Sequence, residues 1–181
     1  MIILIAGSSR TGKTMLAQRM LEKYKYPYLS IDHLKMGLIR SGYTNLSPTD
    51  DNPTLTAYLW PVVREMIKTA MENHQNLIVE GCYIPLDWRQ DFDDHCQQSI
   101  RFICLGMTDE YIDTHYDNIL RHESEIESRP AVPDCTKERL KACNRYFING
   151  FREHGEEVCL ISDNYEQTIS LCLDRDDVWG Q

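Results

Sequence analysis

Eight residues near the start of the chain, Gly7-Ser8-Ser9-Arg10-Thr11-Gly12-Lys13-Thr14, have the types and spacing of a phosphate-binding loop, G-x-x-x-x-G-K-[ST]. Gly7 and Gly12 let the backbone turn without Cβ clashes, so that successive N–H groups point inward and make a concavity suited to an anion. Lys13 supplies a cation that reaches the β- and γ-phosphates of a nucleotide, and the Thr14 hydroxyl is a ligand for Mg2+. With Met15, the next residue, Gly7 to Thr14 make up the candidate nucleotide-binding stretch. Such a loop works only between a strand and a helix. Ile2 to Ala6 is a short, β-rich apolar run, and Leu16, Ala17, Met20, Leu21 and Tyr24 then recur at helical spacing. The helix entered near Lys13 adds the positive end of its dipole to the loop.

The rest of the chain must hold that unit in place. Its 181 residues suit one domain over 1–181, with length for a real core. Short apolar runs at Pro27–Ile31, Asn76–Glu80, Ile100–Leu105 and Glu157–Ser162 read as four more strands. Helical patterns separate them: His33–Arg40, a long amphipathic stretch through Pro61, a tract capped by Thr108 that runs toward Ser128, Lys137–Glu153, and Gln167–Leu173. On the long helix the expected core stripe is Leu55, Leu59, Val62, Val63, Met66, Ile67, Ala70 and Met71, which leaves Trp60 and Arg64 together off it. Strands alternating with helices give an α/β fold with a five-stranded parallel sheet. Ligands of such sheets sit at the carboxyl ends of the strands. Asp32, Glu80 with Tyr83, Gly106 to Asp109, and Asp163 with Asn164 fall there.

Composition narrows the partners. The net charge of −9 argues against non-specific binding to nucleic acid or to an anionic membrane. No apolar run has transmembrane length, and no signal peptide precedes the first strand. Seven cysteines, an odd number without C-x-x-C, suit a reduced, cytoplasmic protein, and the Cys and His residues lack zinc-ligand spacing. Oligomeric state stays open between monomer and homodimer.

On the phosphate loop and this layout the chain resembles the small P-loop kinases, the superfamily that includes the shikimate, gluconate and adenylate kinases and the antibiotic phosphotransferases. The resemblance implies a P-loop NTPase fold with a short helical lid, and transfer of the γ-phosphoryl group of ATP, with Mg2+, to a small-molecule acceptor. It implies that Asp32, just after the second strand, binds the acceptor hydroxyl and takes its proton. It implies that Glu80, at the end of the third strand, orients the metal, although Asp is commoner there. Arginines of a lid after the fourth strand would close on the transferring group, and Arg121 and Arg129 are the candidates. The pairs Arg121 with Glu125 and Glu125 with Arg129 also suit an exposed helix ladder. For the acceptor, Lys35, Arg40, Trp60, Arg64 and Tyr83 are the principal candidates, with Tyr58, Trp88 and Arg89 beside them, because aromatics next to cations can sandwich a ring or clamp an anion. The acceptor remains open among a metabolite hydroxyl, a nucleoside or nucleotide, and an antibiotic. The alternative is a nucleotide-binding switch without an acceptor; the chain has no N-K-x-D, and no D-x-x-G after a strand, to favour it.

Overall fold

A computed structural model of the protein describes residues 1–121 and 135–174. Five strands, β1 (Ile2–Gly7), β2 (Tyr28–Ser30), β3 (Leu77–Glu80), β4 (Ile100–Met107) and β5 (Val158–Ile161), form one sheet in the order β2-β3-β1-β4-β5. All four pairings are parallel, as the alternation of strands and helices requires. β1 is the central strand and its six residues are all buried, so its unbroken apolar sequence faces a hydrophobic layer on both sides. Ile2, Leu4 and Ala6 point into one layer, and Ile3 and Ile5 into the other.

The helices are α1 (Lys13–Tyr24), α2 (Ile31–Arg40), α3 (Asn52–Glu72), α4 (Asp94–Gln98), α5 (Asp109–Arg121), α6 (Lys137–Glu153) and α7 (Tyr165–Leu173). The first core layer takes Ile31 of α2, Leu55 to Ala70 of α3 and Phe147 and Phe151 of α6. The opposite layer takes Leu16, Ala17 and Met20 of α1 with Ile169 and Cys172 of α7. Helix starts are fixed by caps as well as by burial. Thr108 Oγ1 accepts from Tyr111 N at the start of α5, Thr136 from Arg139 N at α6, and Asn164 Oδ1 from Gln167 N at α7. The 17 residues of α6 coincide with the range expected from the sequence.

Three local expectations change. α2 starts at Ile31, so Asp32 stands in its first turn, and Ser30 occupies the N-cap position without a side-chain bond. α3 is one helix from Asn52, capped by Asp51, and passes through Pro61. Its buried face is Leu55, Leu59, Trp60, Val63, Ile67 and Ala70, whereas Val62 and Met66 are 42% and 40% exposed. Val62 and Met66 line an open groove with Tyr28, Leu29 and Leu77 along the β2 edge. The stretch after β3, without a clear pattern in the sequence, holds a 3-10 turn at Trp88–Asp91 and the short α4. No helix among the described residues is long and apolar enough to cross a membrane. The lid candidate Arg129 lies outside the described residues.

Candidate active site

The phosphate loop leaves β1 at Gly7 and enters α1 at Lys13. Its path needs three left-handed or otherwise positive backbone angles: φ is 134° at Gly7, 67° at Arg10 and 86° at Gly12. At two of these no side chain fits. A Cβ on Gly7 would run into the Leu105 carbonyl of β4, and one on Gly12 into the Tyr165 hydroxyl of α7. The loop is tied to itself through the Ser8 carbonyl, which accepts from Thr11 Oγ1 at 2.9 Å and from Lys13 Nζ at 2.7 Å. Ser8, Thr11 and Lys13 are buried, and Lys13 is only 6% exposed. The Lys13 ammonium is therefore gathered over the loop whose amides surround the phosphate position. Ser9 Oγ lies 3.7 Å from Cys82 Sγ, which joins the loop to the segment after β3. Thr14 and Met15 are half-buried on the first turn of α1.

The sheet order sets what stands beside the loop. Ile5 of β1 pairs with Glu80 of β3, and Glu80 with Ser30 of β2. The loop and Asp32 therefore follow β1 and β2, the two neighbours of β3, which ends in Glu80, and Asp32 stands two residues past β2 in the first turn of α2. At one strand spacing of about 4.8 Å, the ends of β1 and β2 are roughly 10 Å apart, with Glu80 between them. Glu80 is 1% exposed, and Gly81 N binds the Ile5 carbonyl at 3.1 Å, which holds the end of β3 against β1. This arrangement fits a nucleotide with Mg2+: a cradle of turned amides, a lysine at its rim, Thr14 on the following turn and a buried carboxylate one strand away. Among the described residues no group of three or more His, Cys, Asp or Glu side chains is gathered to hold a metal ion. A metal here would take ligands from phosphate and water as well, in the manner of Mg2+.

Asp32 is joined by two of the acceptor candidates. Lys35, one turn further on α2, donates to Asp32 Oδ1 at 2.6 Å and to the Tyr83 hydroxyl oxygen at 2.7 Å, and its ammonium lies 4.9 Å from the Tyr83 ring centre. Burial opposes the charge on Lys35, but the Asp32 carboxylate and the Tyr83 hydroxyl outweigh it and raise the lysine above its ordinary value. Burial, and then the Asp32 charge, raise the Tyr83 hydroxyl as well.

The other candidates lie elsewhere. Trp60, expected off the core stripe, is buried, and its indole Nε1 donates to Asp91 Oδ2 at 2.7 Å. Arg64 donates to Asp91 Oδ1 at 2.8 Å. Eight and twelve residues from Asn52, they stand about 12 and 18 Å down α3 from its start, and only that start, where Asn52 Nδ2 meets the Cys82 carbonyl, borders the site. Trp88 is fully buried, and Arg89 pairs with Glu156, at the amino end of β5. Tyr58 donates to the Tyr43 carbonyl at 3.2 Å. Arg40 is exposed at the last turn of α2, about 12 Å along the helix from Asp32. Arg121 is exposed at the end of α5 and donates to Asn118 Oδ1 at 2.8 Å. Tyr165 is the residue the sequence reading missed. The only hint was its place just past β5, beside Asp163 and Asn164.

No protein-family model matches the chain, and no curated protein matches it in sequence. Solved structures do share its fold. A sugar kinase from Janibacter sp. HTCC2649 superposes with a TM-score of 0.55 at 14% identity, covering 98% of this chain and 94% of that one. The shikimate kinase of Aquifex aeolicus gives 0.53 at 11% identity over the full length of both chains. A gluconokinase from Sinorhizobium meliloti gives 0.52 at 14%, covering 94% and 88%. The chain thus has the fold of the small P-loop kinases, the class that the loop and the strand order define. At these identities the likeness extends to the fold and stops there.

Proposed function

We propose that the protein is a small-molecule kinase that uses ATP and Mg2+. The observation that carries this reading is that the phosphate loop, Glu80 and Asp32 lie at or just past the carboxyl ends of the adjacent strands β1, β3 and β2. Lys13 and the loop amides from Gly7 to Thr14 would bind the phosphates, and Thr14 and Glu80 would hold the metal directly or through water. Bound Mg2+ would neutralise charge on the phosphates. Asp32 would orient the acceptor hydroxyl and receive its proton. Transfers of this kind depend mainly on positioning and charge stabilisation, so a carboxylate is a sufficient base. Arg121 and Arg129 are proposed to approach the transferring group from the segment after β4, where a guanidinium keeps its charge and presents a planar fork of donors. The kinase names of the structural neighbours support the reading at the level of fold.

The experiment is ATP consumption by the purified protein with Mg2+, alone and with a panel of hydroxyl acceptors, beside Lys13→Ala and Asp32→Asn. Turnover that requires an acceptor and collapses in both variants is expected. Tight nucleotide binding without any acceptor-dependent turnover, and indifference to Asp32→Asn, would replace the kinase reading with a nucleotide-binding switch.

A further inference from the structure

The lysine nearest the proposed base is already committed. A lysine ammonium has three donors, and Lys35 gives one to Asp32 Oδ1 at 2.6 Å and one to Tyr83 at 2.7 Å. Lys35 is 8% exposed and Tyr83 7%, so neither contact is a passing surface pair. Lys35 keeps a third donor, but an acceptor carboxylate or phosphate that took it would stand beside the Asp32 carboxylate. Two anions would then share one ammonium in a largely buried corner, an arrangement that like-charge repulsion and desolvation both oppose. Two other cationic candidates, Arg64 and Arg89, are engaged as well. Arg64 is bound by Asp91 and Glu65, and Arg89 by both oxygens of Glu156. Arg89 and its partner stand at the opposite end of the sheet.

We infer that Lys35 and Tyr83 are positioning residues that hold the Asp32 carboxylate, and that the acceptor carries no anionic group beside its reacting hydroxyl, as in a polyol, a sugar or a nucleoside. This rests on the kinase reading and names the acceptor class for that same site. In the step concerned, a lone pair of the acceptor oxygen forms a bond to the γ-phosphorus. The bond from that phosphorus to the β,γ-bridging oxygen breaks, and its electron pair leaves on ADP. The hydroxyl proton passes to Asp32 and from there to solvent. Asp32 can take part only if its carboxylate faces the hydroxyl, and Lys35, itself braced by Tyr83, sets that orientation.

The test is ADP formation by the full chain with MgATP against matched acceptor pairs: glycerol and glycerate, glucose and gluconate, uridine and uridine monophosphate. Lys35→Met, Lys35→Arg and Tyr83→Phe run beside it, with ATP binding as the check on folding. Turnover is expected with the uncharged member of a pair, favoured in kcat/KM by on the order of 100-fold. Lys35→Met is expected to lower kcat by roughly 30-fold and Tyr83→Phe by about 5-fold, with acceptor KM moved less than about 3-fold, the signature of a lost transition-state arrangement. Lys35→Arg, which keeps the cation, is expected to recover part of kcat. Preference for the anionic member, with its KM raised about 10-fold or more by Lys35→Met, would make Lys35 an anion ligand and overturn the inference while leaving the kinase reading intact. ATP binding without turnover on any acceptor would overturn the kinase reading and this inference with it. If Lys35→Met does not fold, the matched pairs on the unaltered protein decide the question alone.

Discussion

Two cation–carboxylate pairs sit at opposite ends of one sheet. Asp32 lies two residues past the end of β2 and takes Lys35. Glu156 lies two residues before the start of β5 and takes Arg89, at 2.5 and 2.9 Å. In each a carboxylate with little solvent access is neutralised by a cation from outside its own strand. Chemically they are near equivalents, yet only one stands where strands deliver their ends to a ligand. At the carboxyl ends β1 runs into the phosphate loop, and Ser9 of that loop meets Cys82 just after β3. At the amino end Arg89 also lies 4.5 Å from the Trp88 ring centre, against the core. A charged pair alone says nothing about function; its end of the sheet does.

Substitutions at the two ends should break this comparison in different currencies. The largest effects belong to the carboxyl end. Lys13→Ala should lower kcat/KM by about 10³-fold, the scale for losing a preorganised charge at a developing anion, and Asp32→Asn should lower it by about 10²-fold, the scale for losing a general base. Lys13→Ala should leave the urea midpoint almost where it was, whereas Asp32→Asn should lower it as well, because the buried Lys35 loses its carboxylate. At the amino end the pattern should invert. Arg89→Met strands Glu156, which is 7% exposed. Because Arg89 is partly exposed, the loss should be about 2 kcal/mol, below that for a fully buried pair, with turnover unchanged. For a chain of this size that lowers the melting temperature by roughly 4–8 °C.

A third measurement sharpens the comparison through pH. Lys35 is raised above its ordinary value of 10.5 and Tyr83 above 10.0. A group with a raised folded value adds stability that is fully present below its unfolded value and is lost as pH rises through the folded one. The stability difference between the protein and Lys35→Met should therefore hold steady from neutral pH to about 10 and shrink beyond it. Urea midpoints taken from pH 8 upward would read this. A difference that stays flat past pH 11 would remove the ion pair as its source. The smallest effect sets the baseline. Thr136→Ala removes an N-cap remote from both pairs and should cost about 1 kcal/mol, with no change in turnover.

Much of this was legible in the sequence, for local reasons. The phosphate loop is a contiguous pattern, and each strand is an apolar run bounded by turn formers, so the loop and the five strands could be read in order. α6 was read to the residue, and in the structure Thr136 caps its start and its buried face extends to Phe151. The failures fall where the local pattern was ambiguous or the partner lay far along the chain. From Leu55 to Met71 apolar residues cover most of the helix circumference, so the period alone could not say whether Trp60 or Val62 faces the sheet. Trp60 went inward because Asp91, far along the chain, offers its indole an acceptor. Asp32 was placed outside a helix that in fact begins before it, since a three-residue edge strand has no pattern to mark its end. The convergence of Lys35 with Tyr83, and of Tyr165 with Gly12, joins residues 48 and 153 positions apart, which only the fold can bring together.

The central place of β1 also bears on how the protein is made. Ile2 pairs with Leu77 on one side and Ile100 on the other. During synthesis at ~5–20 residues per second, this wholly apolar strand is finished several seconds before either neighbour exists. Over that interval it is a sticky, unpaired ribbon, and its parallel partners can reach it only by closing long loops, a slow event. Shielding of the nascent chain until about residue 107, where β4 ends, would keep this strand from wrong partners. A crowded expression host should lose this protein to inclusion bodies early in synthesis and retain it when translation is slowed by cooling.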